Sequence, residues 1–322
     1  MSLDDVTFVG RDLRRPECVL VEAGGRIWTS DESAVVTRID PDGAQIRIGA
    51  AGGVANGLAM APDGALLIAD IALGQVRRLD PDGAETVVLD QLDGRALGAV
   101  NFVCFDDLGD LWITVSTRVA PRSLAIERPI PDGYVLRLEG QEARIVADGL
   151  CFPNEMRVDR AAGWAYLAES ALGRVVRMPI EADGGLGPPQ PYGPAPLFEG
   201  AIVDGIAFDA EGGLWVTEVT RNGLHRITPD GRAERLLEDP SGRVLNFPSS
   251  VAFGGADLKT IYIGSLRMDR LARLTAPVAG AALAHWAAPT GHLDQAPNER
   301  PPHGQGLGLS GRPELSYGAV QS

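Results

Sequence analysis

One unit recurs six times along this chain, and a repeat of that length and number narrows the possible folds more than any other feature. Its clearest copy, residues 203–218, reads VDGIAFDAEGGLWVTE. Ile206 and Phe208 share one face of a first strand, Asp209-Ala-Glu-Gly has hairpin turn chemistry, and Leu214-Trp-Val-Thr supplies the partner strand. The six copies open at Glu17, Asn56, Asn101, Asn154, Asp204 and Ser249. Two residues on, every copy is apolar (Val19, Leu58, Val103, Met156, Ile206, Val251). The second-strand anchors Trp28, Leu67, Trp112, Tyr166, Trp215 and Tyr262 are separated by 39, 45, 54, 49 and 47 residues. Third and fourth strands follow in the early copies, punctuated by Pro-Asp-Gly at 62–64 and 81–83, where Pro fixes φ and Gly accepts a positive one. Four-stranded units of this length cannot bury both faces alone, but they do so when packed around an axis. The expected fold is therefore an all-β, six-bladed β-propeller.

At 322 residues the length suggests two domains, but the repeat argues for one closed assembly. The expected propeller covers residues 1–288, and 289–322 form a Pro/Gly-rich extension of the surface-hugging or mobile kind. The short apolar run at 6–9 is a spare strand that can complete the sixth blade and latch the ring, with residues 281–286 as its rival.

Net charge is −14 with no Lys/Arg-rich run, which excludes the electrostatic footprint of a nucleic-acid binder and disfavours an anionic membrane surface. The first residues lack a basic-then-apolar signal pattern, and no apolar stretch has the roughly 18 residues needed to span a bilayer. The expectation is a soluble, cytoplasmic chain, monomeric or weakly homo-oligomeric, whose partners are small molecules or a cation. Three cysteines, Cys18, Cys104 and Cys151, are too few for a disulfide framework and read as buried small hydrophobes. His225 falls in a third strand, and His285, His292 and His303 in the C-terminal region, all outside the repeat positions that converge.

First strands line the channel of a propeller, so the six opening residues should meet at one mouth. Period-two alternation puts each on the face of the apolar column, yet each is polar and none is Lys or Arg. Carboxylates and amide carbonyls without thiolates are the ligand set of a hard divalent cation. The same residues could instead hydrogen-bond water and loop backbone in a solvated channel. Beside them, at the ends of the second strands, stand Asp31, Asp70, Val115, Glu169, Glu218 and Ser265. Glu169 and Glu218 are candidates to orient ligands, while Asp31 and Asp70 read as turn caps. In the third copy the loop after the second strand is enlarged to RVAPRSLAIERPIPD, residues 118–132, a candidate lid that carries Arg122.

Arg-Pro-Glu-Cys at 15–18 leading to Gly-Arg-Ile-Trp at 25–28, Phe-Pro-Asn-Glu at 152–155, and Val-Asp-Gly-Ile at 203–206 with Gly-Leu-Trp at 213–215 together resemble the senescence marker protein, gluconolactonase and luciferin-regenerating enzyme family over residues 6–288. The resemblance implies a six-bladed propeller with one divalent metal in its channel, and lactone hydrolysis. It places metal ligands at Glu17, Asn154 and Asp204, and implies that Asp204, or a water it touches, drives attack on the carbonyl. Asn101 becomes a nearby ligand or substrate contact; Asn56, Ser249, Glu155 and Arg122 complete the substrate-facing set.

Two departures concern the substrate. Sugar-lactone members usually carry an Arg two residues before Asn101, where this chain has Ala99, and the usual Pro-Asn-Gly is here Pro-Asn-Glu, ending at Glu155. The expected function is a metal-dependent hydrolase that opens a lactone or related ester with a metal-activated water, calcium being the first choice of metal and zinc, magnesium or manganese the others. Ala99 points to a substrate less polar than a sugar lactone unless a lid arginine supplies the missing cation. The competing readings are phosphoester hydrolysis or enolate isomerisation at the same metal, and a non-catalytic propeller that binds a ligand or protein.

Overall fold

The computed structural model describes residues 1–50, 52–282 and 284–287. Six four-stranded antiparallel sheets follow one another around an axis. Their innermost strands are Val19–Val21, Ala55–Met60, Val100–Phe105, Pro153–Asp159, Val203–Phe208 and Pro248–Gly254, and each pairs with the strand that follows it in the chain. Blade six takes its outermost strand from the N-terminus, with Thr7, Phe8 and Val9 opposite Arg273, Ala272 and Leu271. Among its described residues the rival segment does not join that sheet. Gly280 instead bridges to Asp209 of blade five, and the turn Ala284–Ala287 lets His285 Nε2 and Trp286 Nε1 donate to the Val21 carbonyl of blade one, both at 2.6 Å. The chain after blade six thus crosses one mouth of the channel. The proposed extension 289–322 lies outside the described residues.

The core lies between blades. Met156, Ile206, Val251, Leu58 and Val103 are almost fully buried in clusters that pair one blade with the next. Trp112 and Trp215 are fully buried, and each is held by the acid of its own hairpin turn: Trp112 Nε1 donates to Asp106 at 2.7 Å and Trp215 Nε1 to Asp209 at 2.9 Å. Cys18, Cys104 and Cys151 are all free. Burial pushes the Cys104 thiol up to about 12, so it stays a protonated small hydrophobe. Among the described residues no helix is long and apolar enough to cross a membrane.

The strand register departs from simple alternation where the site is built. In blade four the pairing jumps from Pro153↔Glu169 to Met156↔Leu167, three steps against two, and blades two, three, five and six carry the same one-residue excess. This is a β-bulge at the mouth of the innermost strand in blades two to six, while blade one pairs Val19–Val21 with Ile27–Thr29 without one. The facing of Asn56, Asn154, Asp204 and Ser249 is therefore set by the bulge, and the period-two argument cannot be carried across it from the apolar column.

Candidate functional site

A cavity of about 300 Å³ opens at the mouth opposite the crossing segment. Glu17, Asn56, Asn101, Asn154 and Asp204 line it, all at most 5% exposed. Their amides are locked into a directed network. Asn56 Nδ2 donates to Glu17 Oε1 at 2.8 Å and to Asn101 Oδ1 at 2.9 Å, while Asn56 Oδ1 accepts from Arg15 Nη2 at 2.7 Å. Asn101 Nδ2 donates to Ser116 Oγ at 2.6 Å, and Asn154 Nδ2 to Ser170 Oγ at 3.1 Å. With its amide nitrogen so occupied, Asn154 has a free carbonyl oxygen. Asn154 Oδ1 and Asp204 Oδ1 are buried without any hydrogen-bond partner.

The carboxylates are unsettled. Burial pushes Glu17 up to about 7, with Glu155 adding to the rise and Arg15 and Arg122 opposing it. Burial, then the nearby Glu17 and Glu155, drives Asp204 well above the usual carboxylate range. Two buried acids near one another, two unbonded oxygens and no thiolate or imidazole on the cavity wall suit a hard cation held by oxygen ligands. The donors present fit such an ion at Glu17, Asn154 and Asp204. Among the described residues no three His, Cys, Asp or Glu side chains cluster as a metal group, and this set of donors contains two acids and one amide.

Two residues read as substrate contacts lie elsewhere. Ser249 does not line the cavity; its hydroxyl donates to the Glu17 carbonyl at 2.7 Å and so ties blade six to blade one. Glu155 is likewise off the wall. Its Oε2 accepts from Ile206 N at 3.2 Å and from Arg157 at 2.9 Å. The equivalent position in blade five is Gly205, where a Cβ would stand 2.3 Å from the Ser249 carbonyl. In blade four the side chain is accommodated and spans to blade five, which accounts for the Pro-Asn-Glu departure.

Glu169 and Glu218 also turn away from the cavity. Glu169 accepts from Cys151 N at 2.9 Å, Glu218 from Ile202 N at 3.3 Å, Asp70 from Val54 N at 3.0 Å, and Asp31 from Arg14 N at 3.3 Å. All four acids perform one task, fastening the backbone just before an opening residue. They orient the ring through main chain, and the distinction drawn between the two glutamates and the two aspartates from sequence disappears.

That fastened backbone presents residues the repeat analysis passed over. Arg15, Phe152, Ile202 and Phe247, each two positions before an opening residue, line the cavity. Arg15, Phe152 and Phe247 adopt left-handed φ values of 52, 59 and 53°, uncommon for bulky side chains. The signal was present in the alignment column two places before the ring, of which only Ala99 had drawn attention. Ala99 itself is buried and does not line the cavity. The cation that Ala99 lacks is supplied by Arg15 from blade one and by Arg122 from the 118–132 loop, whose short helix Leu124–Glu127 also contributes Ile126 and Glu127 to the wall. Within that helix, Ala125 is fully buried and Leu124 is exposed, leaving Ile126 to face the cavity.

The architecture is a six-bladed propeller with acids and amides gathered at one mouth of its channel. Residues 71–267 match the family model described as SMP-30/Gluconolactonase/LRE-like region, and the chain belongs to that family. A 6-deoxy-6-sulfogluconolactonase of Pseudomonas putida is 30% identical over 155 residues, 47% of this chain and 52% of that protein, so the chain spans about half the length of this curated relative. A gluconolactonase from Xanthomonas campestris superposes with a TM-score of 0.69 at 19% identity, covering 85% of this chain and 90% of that one. The calcium-binding protein regucalcin from Agrobacterium tumefaciens gives 0.68 at 19% identity, covering 85% and 96%. At these identities the structural matches speak for the fold.

Proposed function

We propose that this protein is a metal-dependent lactonase, with Glu17, Asn154 and Asp204 holding one divalent cation, calcium in the first instance, and Asp204 serving catalysis. The observation that carries the reading is the pair of buried, unbonded oxygens, Asn154 Oδ1 and Asp204 Oδ1, beside an acid whose pKa burial has raised to about 7. Leaving such groups without a partner costs stability, and a cation offsets that cost. The names of the Pseudomonas and Xanthomonas proteins support a lactone as substrate, and that of regucalcin supports calcium.

When bound, the cation supplies Lewis acidity at the lactone carbonyl and makes water a stronger acid. The chain's own residues supply the rest. Asp204, beside the cation, orients the attacking water and takes a proton from it. The water oxygen bonds to the carbonyl carbon, the bond from that carbon to the ring oxygen breaks, and the proton held by Asp204 passes to the ring oxygen to give the hydroxy acid. Asn56 keeps Glu17 and Asn101 in place throughout, and the 118–132 loop limits access of bulk water from above.

The test is turnover of a panel of lactones and esters by protein stripped with a chelator and then resupplied with calcium, magnesium, manganese or zinc. Ring opening should disappear on stripping and return with one of the metals. A protein that binds none of the four and opens no lactone in the panel would refute the proposal.

A further inference from the structure

Arg122 is a partly buried cation whose guanidinium makes no hydrogen bond or ion pair among the described residues; its nearest ring is Phe152, 5.8 Å from centroid to Cζ. Its companion Arg15 is 13% exposed at the side chain, donates to Asn56 Oδ1, and stands 3.8 Å from Glu32. Around them the wall is apolar, formed by Phe152, Ile202, Phe247, Leu266 and Ile126. A charge held against such a wall is costly unless something of opposite sign meets it.

The charge balance says what that partner is. Glu17 and Asp204 contribute two negative charges, which a divalent cation cancels on the reading given above. Arg15 is met by Glu32 at 3.8 Å and by Asn56 Oδ1, which leaves Arg122 as the cation whose donors have no acceptor; Glu127 shares the wall but forms no ion pair with it among the described residues. A neutral substrate would seal Arg122 under itself with its donors unmatched, whereas an anionic oxyacid group accepts them in the fork geometry a guanidinium offers. We infer that the substrate is a lactone carrying an anionic substituent, a sulfonate, carboxylate or phosphate, seated on Arg122 with Arg15 beside it, and that Arg122 is the residue that selects it. This rests on the lactonase reading for the reaction, but the binding claim stands on the arginines.

The experiment uses ring-matched pairs. Calcium-loaded protein is given a δ-lactone bearing a sulfomethyl group beside the ring oxygen and its hydroxymethyl counterpart, and kcat/KM is compared. The wild-type ratio should favour the anion by about 30-fold or more, the size expected when a buried charge loses its partner. Arg122→Gln should bring the ratio close to unity, and Arg122→Lys should restore part of it. In parallel, calorimetry measures binding of the two corresponding cyclic ethers, which cannot be hydrolysed. Sulfonates are weak metal ligands, so tighter binding of the sulfonate ether, lost in Arg122→Gln while calcium affinity is kept, isolates the arginine from the metal. Carboxymethyl and phosphomethyl ethers then identify which oxyacid fits best. Equal or better turnover of the neutral lactone, with equal binding of the two ethers, overturns the inference while leaving the lactonase reading intact. Absence of turnover on both lactones counts against the lactonase reading, and the ether titration still decides whether Arg122 binds an anion.

Discussion

Asp204 and Asp209 stand at the two ends of the same innermost strand, both buried, and their environments are opposite. Burial would raise Asp209, but Arg226 Nε at 2.6 Å, Trp215 Nε1 at 2.9 Å and Gly213 N at 2.8 Å outweigh it and hold the acid below the usual range. Asp204 has burial and two neighbouring acids against it, and an oxygen that bonds to nothing. The first is a finished structural joint. The second is a group whose partner the fold does not provide, and that incompleteness marks a site more clearly than the residue type does.

The sharpest way to break the comparison is to remove the carboxylate at each position. Asp204→Asn should lower kcat/KM on the best lactone by about 100-fold or more, since it removes a proton acceptor and a charge from the cation site. It should also stabilise the metal-free protein, because an amide is cheaper to bury there than a carboxylate. Asp209→Ala should do the reverse, costing about 3 kcal/mol in urea unfolding as Arg226 and Trp215 lose their acceptor, with little change in the kcat of the molecules that remain folded. If both variants lose stability equally and activity equally, the two acids are one kind of joint and the site assignment fails.

Glu17, the other acid of the cavity, and Asp209 should also answer to pH with opposite sign. A group with a raised folded pKa holds its proton more tightly folded than unfolded, so between its ordinary 4.5 and about 7 Glu17 makes the metal-free protein lose stability as pH rises. Asp209, depressed, contributes stability above its ordinary 3.8 that is lost only as pH falls below it. Calcium competes with the Glu17 proton, so calcium affinity should fall as pH drops below 7, by up to about tenfold per unit for one proton displaced. Calcium titrations at pH 8, 7 and 6 check this, and an affinity flat across that range would remove Glu17 from the ligand set.

Much of this was legible before the fold was known. Six blades follow from the spacing of Trp28, Leu67, Trp112, Tyr166, Trp215 and Tyr262, because each anchor must be buried between neighbours and only a ring buries all of them. The polar ring was legible as a column. Its roles were not, because the bulge that begins the first strand in blades two to six changes which residue faces the cavity, and a bulge leaves no mark in a period-two pattern. Arg15 was hidden for a related reason: its side chain reaches the cavity only because the chain turns through a left-handed φ that Arg rarely adopts.

Asn154 and Asn56 give a finer comparison between two ring amides. Asn154 Oδ1 is unbonded, whereas every polar atom of the Asn56 side chain already serves Glu17, Asn101 or Arg15. Asn154→Ala should weaken calcium binding by about tenfold or more with little effect on stability. Asn56→Ala should cost about 2 kcal/mol of stability, since it leaves buried partners unmatched, and weaken calcium less than Asn154→Ala does. The opposite order would mean that Asn56 is the ligand and Asn154 the support.

The smallest effect is expected at Ser249, which shares its alignment column with Asp204 and lies off the cavity wall. Its hydroxyl donates to the Glu17 carbonyl, and the same carbonyl passes within 2.4 Å of the point a Cβ on Gly264 would occupy, so the main chain there is already confined by blade six. Removing one hydrogen bond from a carbonyl held in place by packing should cost about 1 kcal/mol of stability. Glu17 is also fixed by its own N–H, which donates to the Arg15 carbonyl at 2.7 Å, and by Asn56 at its carboxylate. Ser249→Ala should therefore change kcat/KM by less than about threefold, close to the error of such measurements on the free-energy scale. Urea unfolding and lactone kinetics on the one variant decide it. A loss of activity approaching that of Asp204→Asn, with calcium still bound, would show that the hydroxyl reaches the substrate and that the column as a whole, and not the two unbonded oxygens within it, is the functional unit.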